Sequence, residues 1–274
     1  MIFTTFYFSG TGNTKWAVNQ LHKIVLAKEH QSAVYSIEEN LQNIGELIRK
    51  SDIIGFAFPI YAMNIPPIMK QFLQKVSQSI SGDSKKPVFV ITTIGYADGC
   101  GPTEVIKQLK LKNFMLKGYI SLKIANNIST PMIKSKPISP DKMKKRLEDA
   151  KAKITGMVEI LGSGKKKIDF LAYPMVVFRK KMSKMVTNAY KQLTIDNTTC
   201  IKCMHCSNQC PSKSIVLNND QLIILPSCTA CMRCFNICPT YSIWHGGRYA
   251  DPKEFIRYKN PMEALSEFEK NDFH

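Results

Sequence analysis

Two identical runs of cysteine constrain this chain more than any other feature of it. The first is Cys200, Cys203, Cys206 and Cys210-Pro211; the second is Cys228, Cys231, Cys234 and Cys238-Pro239. Both read C-x2-C-x2-C-x3-C-P. Thiolates are soft ligands that suit iron and zinc. The x2 steps let one tight loop aim three sulfurs at a single centre. The fourth sulfur, three residues further on and followed by proline, points away from that centre. A structural zinc site needs two C-x2-C pairs and has no use for the third step or the closing Cys-Pro. The pattern therefore favours iron–sulfur clusters. No position in it is replaced by His or Asp, so both centres are expected to be complete [4Fe-4S] cubanes.

The compartment follows from the other end of the chain. Met1 to Phe8 is apolar but lacks a basic flank and a small-residue cleavage site, so it reads as a strand and not as a signal peptide. No run of 18 or more apolar residues predicts a transmembrane helix. The expected location is the cytoplasm, where thiols stay reduced and clustered cysteines serve metals more than disulfides.

Between the cysteine runs, Ser214–Leu217 and Leu222–Leu225 flank Asn218, Asn219 and Asp220, a hairpin pattern. Tyr241–Trp244 reads as a further strand. Residues 195–246 resemble a bacterial 2[4Fe-4S] ferredoxin over its full length. That resemblance implies that the fourth cysteine of each run ligates the other cluster. The implied sets are Cys200, Cys203, Cys206 and Cys238 for cluster 1, and Cys228, Cys231, Cys234 and Cys210 for cluster 2. His205, inside the first run, is then free to tune hydrogen bonding or face solvent. Metal–sulfur bonds should provide much of this module's stability.

At the N-terminus, Ile2–Phe8 predicts a strand and a helical pattern opens at Lys15. The turn between them is Ser9-Gly10-Thr11-Gly12-Asn13-Thr14. A hydroxyl- and glycine-rich turn before a helix suits a phosphate, because backbone N–H groups and the helix dipole face the anion. It is neither a dinucleotide fingerprint nor a P-loop, which needs a Lys that is absent here. It resembles the FMN-phosphate loop of flavodoxins.

Strands at 32–37, 52–58, 88–94 and 119–124 alternate with helices at 41–50, 67–80 and 102–112. With Ile2–Phe8 this predicts an α/β, flavodoxin-like doubly wound parallel sheet of five strands. Ligands in such a sheet sit beyond the carboxyl ends of the strands. Three loops lie there. They are Ser9–Thr14; Pro59, Ile60, Tyr61, Ala62, Met63 and Asn64; and Thr93, Ile94, Gly95 and Tyr96 with Gly99 and Cys100. Tyr61 and Tyr96 are candidates to stack on a flavin ring. Cys100, the ninth cysteine, is either a small turn residue or a redox thiol.

Taken whole, the chain resembles the ferrodoxin family, in which a flavodoxin-like domain precedes a two-cluster ferredoxin domain. The resemblance rests on Tyr7–Thr14, on Phe58-Pro59-Ile60-Tyr61 with Ile65-Pro66-Pro67, on both cysteine runs and on Gly247-Arg248-Tyr249. It implies electron transfer with two [4Fe-4S] clusters and suggests FMN. The domain reading is 1–130 flavodoxin-like and FMN-binding, 131–194 a basic, largely helical connector, 195–246 the α+β ferredoxin module, and 247–274 a C-terminal extension.

Flavodoxins are typically acidic, whereas this chain carries a formal +17. Residues 131–199 hold 16 Lys and Arg against 6 Asp and Glu. A helix at 141–161 carries Met143, Leu147, Ala150, Ile154, Val158 and Leu161 on one stripe, with Lys142, Lys144, Lys145, Arg146 and Lys153 elsewhere. The stripe is expected to dock on the body while the basic face is solvated or meets an acidic redox protein or, peripherally, an anionic membrane surface. Nucleic acid is not expected, since no aromatic interleaving accompanies the charge. An electron relay is preferred to a flavin-dependent reductase fed by the clusters, because no proton donor or substrate pocket is legible. The remaining, least expected alternative is a basic scaffold or nucleic-acid-binding protein that uses its clusters as structural staples.

Overall fold

The computed structural model describes residues 1–79, 85–95, 98, 104–105, 107, 114–135, 138–169, 188, 191–258 and 260–263. β1 (Ile2–Tyr7), β2 (Gln31–Ser36), β3 (Ile53–Pro59), β4 (Lys86–Ile94), β5 (Phe114–Lys123) and β6 (Lys167–Asp169) form one sheet in the order β2-β1-β3-β4-β5-β6. All its pairings are parallel. The first five strands follow the flavodoxin-like order 2-1-3-4-5.

The sequence predicted five strands, and the structure adds β6 as a sixth at the edge. β6 is only three residues long and reads Lys-Ile-Asp, too short and polar for a periodicity argument. The inner strands are legible because helices cover both their faces, which makes them continuous apolar runs. In β3, Ile53 to Phe58 are all buried. Gly55 is required there, since a Cβ would collide with the Phe89 ring.

α1 (Asn13–Ala27) lies on one face together with α4 (Pro140–Gly162), while α2 (Ile44–Lys50) and α3 (Pro67–Gln78) lie on the other. The 102–112 helix falls largely outside the described residues, of which Glu104, Val105 and Lys107 are helical. α4 opens with Pro140 in its first turn, where a missing N–H costs nothing. It buries Met143, Leu147, Ala150, Ile154, Met157, Val158 and Leu161. These side chains join Val18, Leu21 and Val25 of α1 in one core. Residues 140–169, read from sequence as part of a connector, thus form a helix and a strand packed into the sheet layers. Lys142, Lys144, Lys145, Lys151 and Lys153 stay exposed, and Arg146 donates to Ile124 O at 2.6 Å. Among the described residues no helix is long and apolar enough to cross a membrane.

The C-terminal part is built on a repeat. β7 (Leu193–Ile195) pairs antiparallel with β10 (Ile243–His245), and β8 (Ile215–Asn218) pairs antiparallel with β9 (Gln221–Ile224). Each cysteine run carries a short helix, α5 (His205–Asn208) and α6 (Arg233–Ile237). Left-handed residues recur at matching places in the two runs: Lys202 and Ala230, Met204 and Met232, Lys213 and Tyr241. One local geometry is therefore used twice.

His245 ties this part to the loop after β5. Its Nδ1 lies 3.0 Å from Thr130 Oγ1 and its Nε2 lies 3.3 Å from Gln192 Oε1. Burial holds its pKa below the ordinary value. The folded state therefore prefers the neutral ring, whereas the unfolded chain takes up a proton near about 6.5. Stability should be full above that pH and be lost as pH falls below it. Denaturant midpoints measured between about pH 5 and 7 should show this slope, and His245→Gln should flatten it.

Candidate metal centre and phosphate loop

The fold sorts the eight cysteines into two sets. Cys200, Cys203, Cys206 and Cys238 line one cavity with Ile201, Met204, Leu222 and Ile243. Cys210, Cys228, Cys231 and Cys234 line a second with Leu193, Ile215, Thr229 and Arg233. In each set the fourth cysteine comes from the opposite run. Three neighbouring thiols of one run and the Cys-Pro thiol of the other thus line each cavity.

Backbone N–H groups already point at sulfur. Ser214 N donates to Cys210 Sγ at 3.2 Å, Ser242 N to Cys238 Sγ at 3.3 Å and Ala230 N to Cys228 Sγ at 3.4 Å. Burial pushes the Cys231 thiol up to about 12 and the Cys206 thiol up to about 11. Without a metal these thiols hold their protons. Among the described residues no three His, Cys, Asp or Glu side chains form a site for a single metal ion; each thiol set surrounds a space instead. Thr229 Oγ1, buried and without a hydrogen-bond partner among the described residues, lines the second cavity. The donor set, the N–H···S bonds and this orphaned hydroxyl all fit an iron–sulfur cluster with its acceptor sulfurs. His205 is exposed, at the rim, and accepts from Gln209 Nε2.

The Ser9–Thr14 loop ends at the N-terminus of α1, with Gly12 left-handed (φ 101°) at the cap. Ser9 Oγ accepts from Gly12 N at 3.2 Å and from Lys15 N at 3.1 Å. Thr14 Oγ1 pairs with Thr93 Oγ1 at 2.8 Å, and Thr11 Oγ1 accepts from Asn127 Nδ2 at 2.8 Å. Asn13 Nδ2 donates to Ala125 O at 3.0 Å, and Tyr258 donates to Asn13 Oδ1. The hydroxyls expected to face an anion are thus also built into the loop's own frame. The strand–turn–helix arrangement fits a phosphate through the first-turn N–H groups of α1, which have no intrahelical partners.

The second loop holds Tyr61 in the apolar core, 9% exposed and edge-on to Phe8. Tyr61 N donates to Asn64 O at 3.0 Å, and Asn64 N donates back to Tyr61 O at 2.9 Å. Between them Ala62 and Met63 have φ of 43° and 63°. That is the conformation of a type I′ turn, normally given to Asn or Gly. Such residues cost about 1–3 kcal/mol each and concentrate at functional sites. Burial raises the Tyr61 phenol well above its ordinary pKa, with Cys231 contributing next. Pro59, Ile60, Thr93, Ile94 and Gly95 end the neighbouring strands. Tyr96, Gly99 and Cys100 lie outside the described residues.

Sequence reasoning missed the residues that join the two halves. Arg233 Nε donates to Gly10 O at 2.8 Å and its Nη2 to Ser9 O at 2.7 Å. Its two Nη groups also hold both carboxylate oxygens of Glu38 at 2.7 Å, and Nη1 reaches Gln209 O at 2.8 Å. Asn236 Nδ2 donates to Asn127 O at 3.1 Å. Asp98 was passed over too: buried, it accepts from Thr92 Oγ1 at 2.9 Å, from Tyr119 at 2.6 Å and from Ser121. No local spacing signals any of these, because the partners are remote in sequence or meet only across the sheet.

Residues 192–239 match the family model described as a 4Fe-4S dicluster domain. No curated protein matches the chain. Among solved structures, a flavodoxin from the domain Archaea aligns at 15% identity over 58% of this chain and 97% of its own, with a TM-score of 0.42. The two-electron reduced flavodoxin of Megasphaera elsdenii aligns at 16% identity over 58% and 99%, with a TM-score of 0.42. A point mutant of a flavo di-iron protein from Thermotoga maritima aligns at 20% identity over 60% and 35%, again with a TM-score of 0.42.

The strand order itself makes the N-terminal domain flavodoxin-like, and the matched segment makes the C-terminal one a ferredoxin-type domain. The protein is a fusion of the two. The matched segment points to electron transfer, with iron and sulfur in that domain.

Proposed function

We propose that this protein relays electrons between two [4Fe-4S] clusters and a bound FMN, and on to a redox partner. The observation that carries the reading is the sorting of eight cysteines into two sets of four, the second of which packs against the Ser9–Thr14 loop. Cys200, Cys203, Cys206 and Cys238 would hold cluster 1, and Cys210, Cys228, Cys231 and Cys234 would hold cluster 2. The N-terminus of α1, behind Gly12, would receive the FMN phosphate, with the second and third loops beside the ring. The clusters supply one-electron chemistry, and the flavin converts between one- and two-electron chemistry.

The residues of the chain bind, orient and exclude water. Ser214 N, Ala230 N and Ser242 N donate to ligand sulfurs, which favours the more negative, reduced state. Arg233 and Asn236 hold the cluster module on the phosphate loop and its neighbour. The exposed lysines of α4 offer an acidic redox partner a complementary face, which would speed its encounter at low salt.

Anaerobically purified protein is expected to contain about eight iron and eight labile sulfide per chain, as two cubanes require, and to take up one FMN on reconstitution. About four iron, or zinc in place of iron, would defeat the cluster assignment. Full iron with no flavin uptake would leave a cluster protein on a flavodoxin-like scaffold.

A further inference from the structure

Resting on the cluster reading above, we propose that the Tyr61 hydroxyl donates a hydrogen bond to a sulfur of the centre held by Cys210, Cys228, Cys231 and Cys234, so that the flavodoxin-like domain sets the potential of that centre alone. Tyr61 Oη is buried and has no hydrogen-bond partner among the described residues. A buried hydroxyl is rarely left so, and each such case calls for an acceptor. Its surroundings narrow the choice. A Cβ on Gly10 would collide with Tyr61 Oη and would stand 3.1 Å from Cys231 Cβ and 3.1 Å from Cys231 O. The phenol and this one ligand cysteine therefore meet across the bare backbone of Gly10, and only glycine leaves them room.

Tyr61, Ala230 and Cys231 share one apolar cluster. The Ser9 and Gly10 carbonyls beside it are already taken by Arg233. The Tyr61 ring is 9% exposed and packs edge-on against Phe8 in this cluster, which keeps the hydroxyl from swinging out to water. Among the described residues, the contacts of Tyr61 reach Cys231 of this thiol set. The donor is thus placed on one centre and not on both.

A hydrogen bond to a cluster sulfur is stronger in the reduced, more negative state and raises the potential. Tyr61→Phe removes the hydroxyl and keeps the ring. The test is an EPR-monitored reductive titration of the fully loaded wild type and variant, with iron counted in both. One of the two centres should become harder to reduce by roughly tenfold in its equilibrium, about 59 mV for one electron. The other should not move. An exchangeable proton coupled to the reduced centre of the wild type, lost in deuterated water and absent in Tyr61→Phe, should accompany the shift.

A full iron complement with two unchanged potentials would overturn the proposal and leave the cluster reading intact. Fewer than two centres in the wild type would overturn both. Unchanged potentials with weakened binding of inorganic phosphate or FMN would assign the hydroxyl to the Ser9–Thr14 loop instead, and would also overturn it.

Discussion

Stripping the iron from this protein is expected to unfold residues 192–258 and leave the sheet domain folded. The module's own apolar core is thin. Leu193, Met232, Phe235, Ile243, Ala250 and Phe255 form one buried cluster, and Cys206, Ile215 and Leu222 form another. A domain of this size is marginal on its own core and is commonly held by metals or disulfides. Its thiols make the deficit worse when iron is gone, since they remain as buried polar groups lining two spaces. Binding free energy is then folding free energy. The sheet domain has two large cores, one on each face, and needs no such support. Limited proteolysis and near-UV circular dichroism after anaerobic chelation would check this. Native protease protection across 192–258 in iron-free protein would mean that packing, and not metal, holds the module.

Replacing Arg233 with Met is expected to cost about 3–5 kcal/mol, the range for removing one partner of a buried ion pair. The lower end applies, because the side chains of Arg233 and Glu38 keep 17% and 24% exposure. The loss has two parts. Glu38 is left as a half-buried carboxylate without its bidentate partner, and the Ser9 and Gly10 carbonyls lose their donors. Every one of these bonds but that to Gln209 crosses between the halves of the chain, so the damage falls on their docking. Hydrogen exchange should rise at the 9–14 loop and in α6 before it rises in the sheet. Pairing the change with Glu38→Leu should recover part of the loss, which a double-mutant cycle would read as a coupling. A single variant within about 0.5 kcal/mol of wild type, a surface-like effect, would show that apolar contact around Cys231 alone holds the halves together.

The elements legible in the sequence were those whose signal is local. β1, β3 and β4 were readable because both faces of a central parallel strand are apolar, and the Cys-Pro runs because metal ligation dictates spacing within one loop. α4 was readable for its stripe, but its destination was not. Met143, Leu147 and Ile154 announce that a helix will be buried, while nothing in them says that the partner is α1, more than about a hundred residues away. β6 carried no periodic signal at all, and its strand identity comes from the edge of β5 to which it pairs.

The sequence by itself determined the two domain types, the strand order that a flavodoxin-like chain must follow, and the spacing of eight thiols in two runs. Only the tertiary structure decided how the halves meet. Arg233 was one basic residue in a chain with a large excess of them, Glu38 was an ordinary loop residue, and Tyr61 was a candidate for a flavin ring and not for a cluster. Charge, hydrogen-bond demand and buried volume are properties of neighbours in space. They became specific when folding placed one guanidinium against two loop carbonyls and a carboxylate, and one phenol beside Cys231.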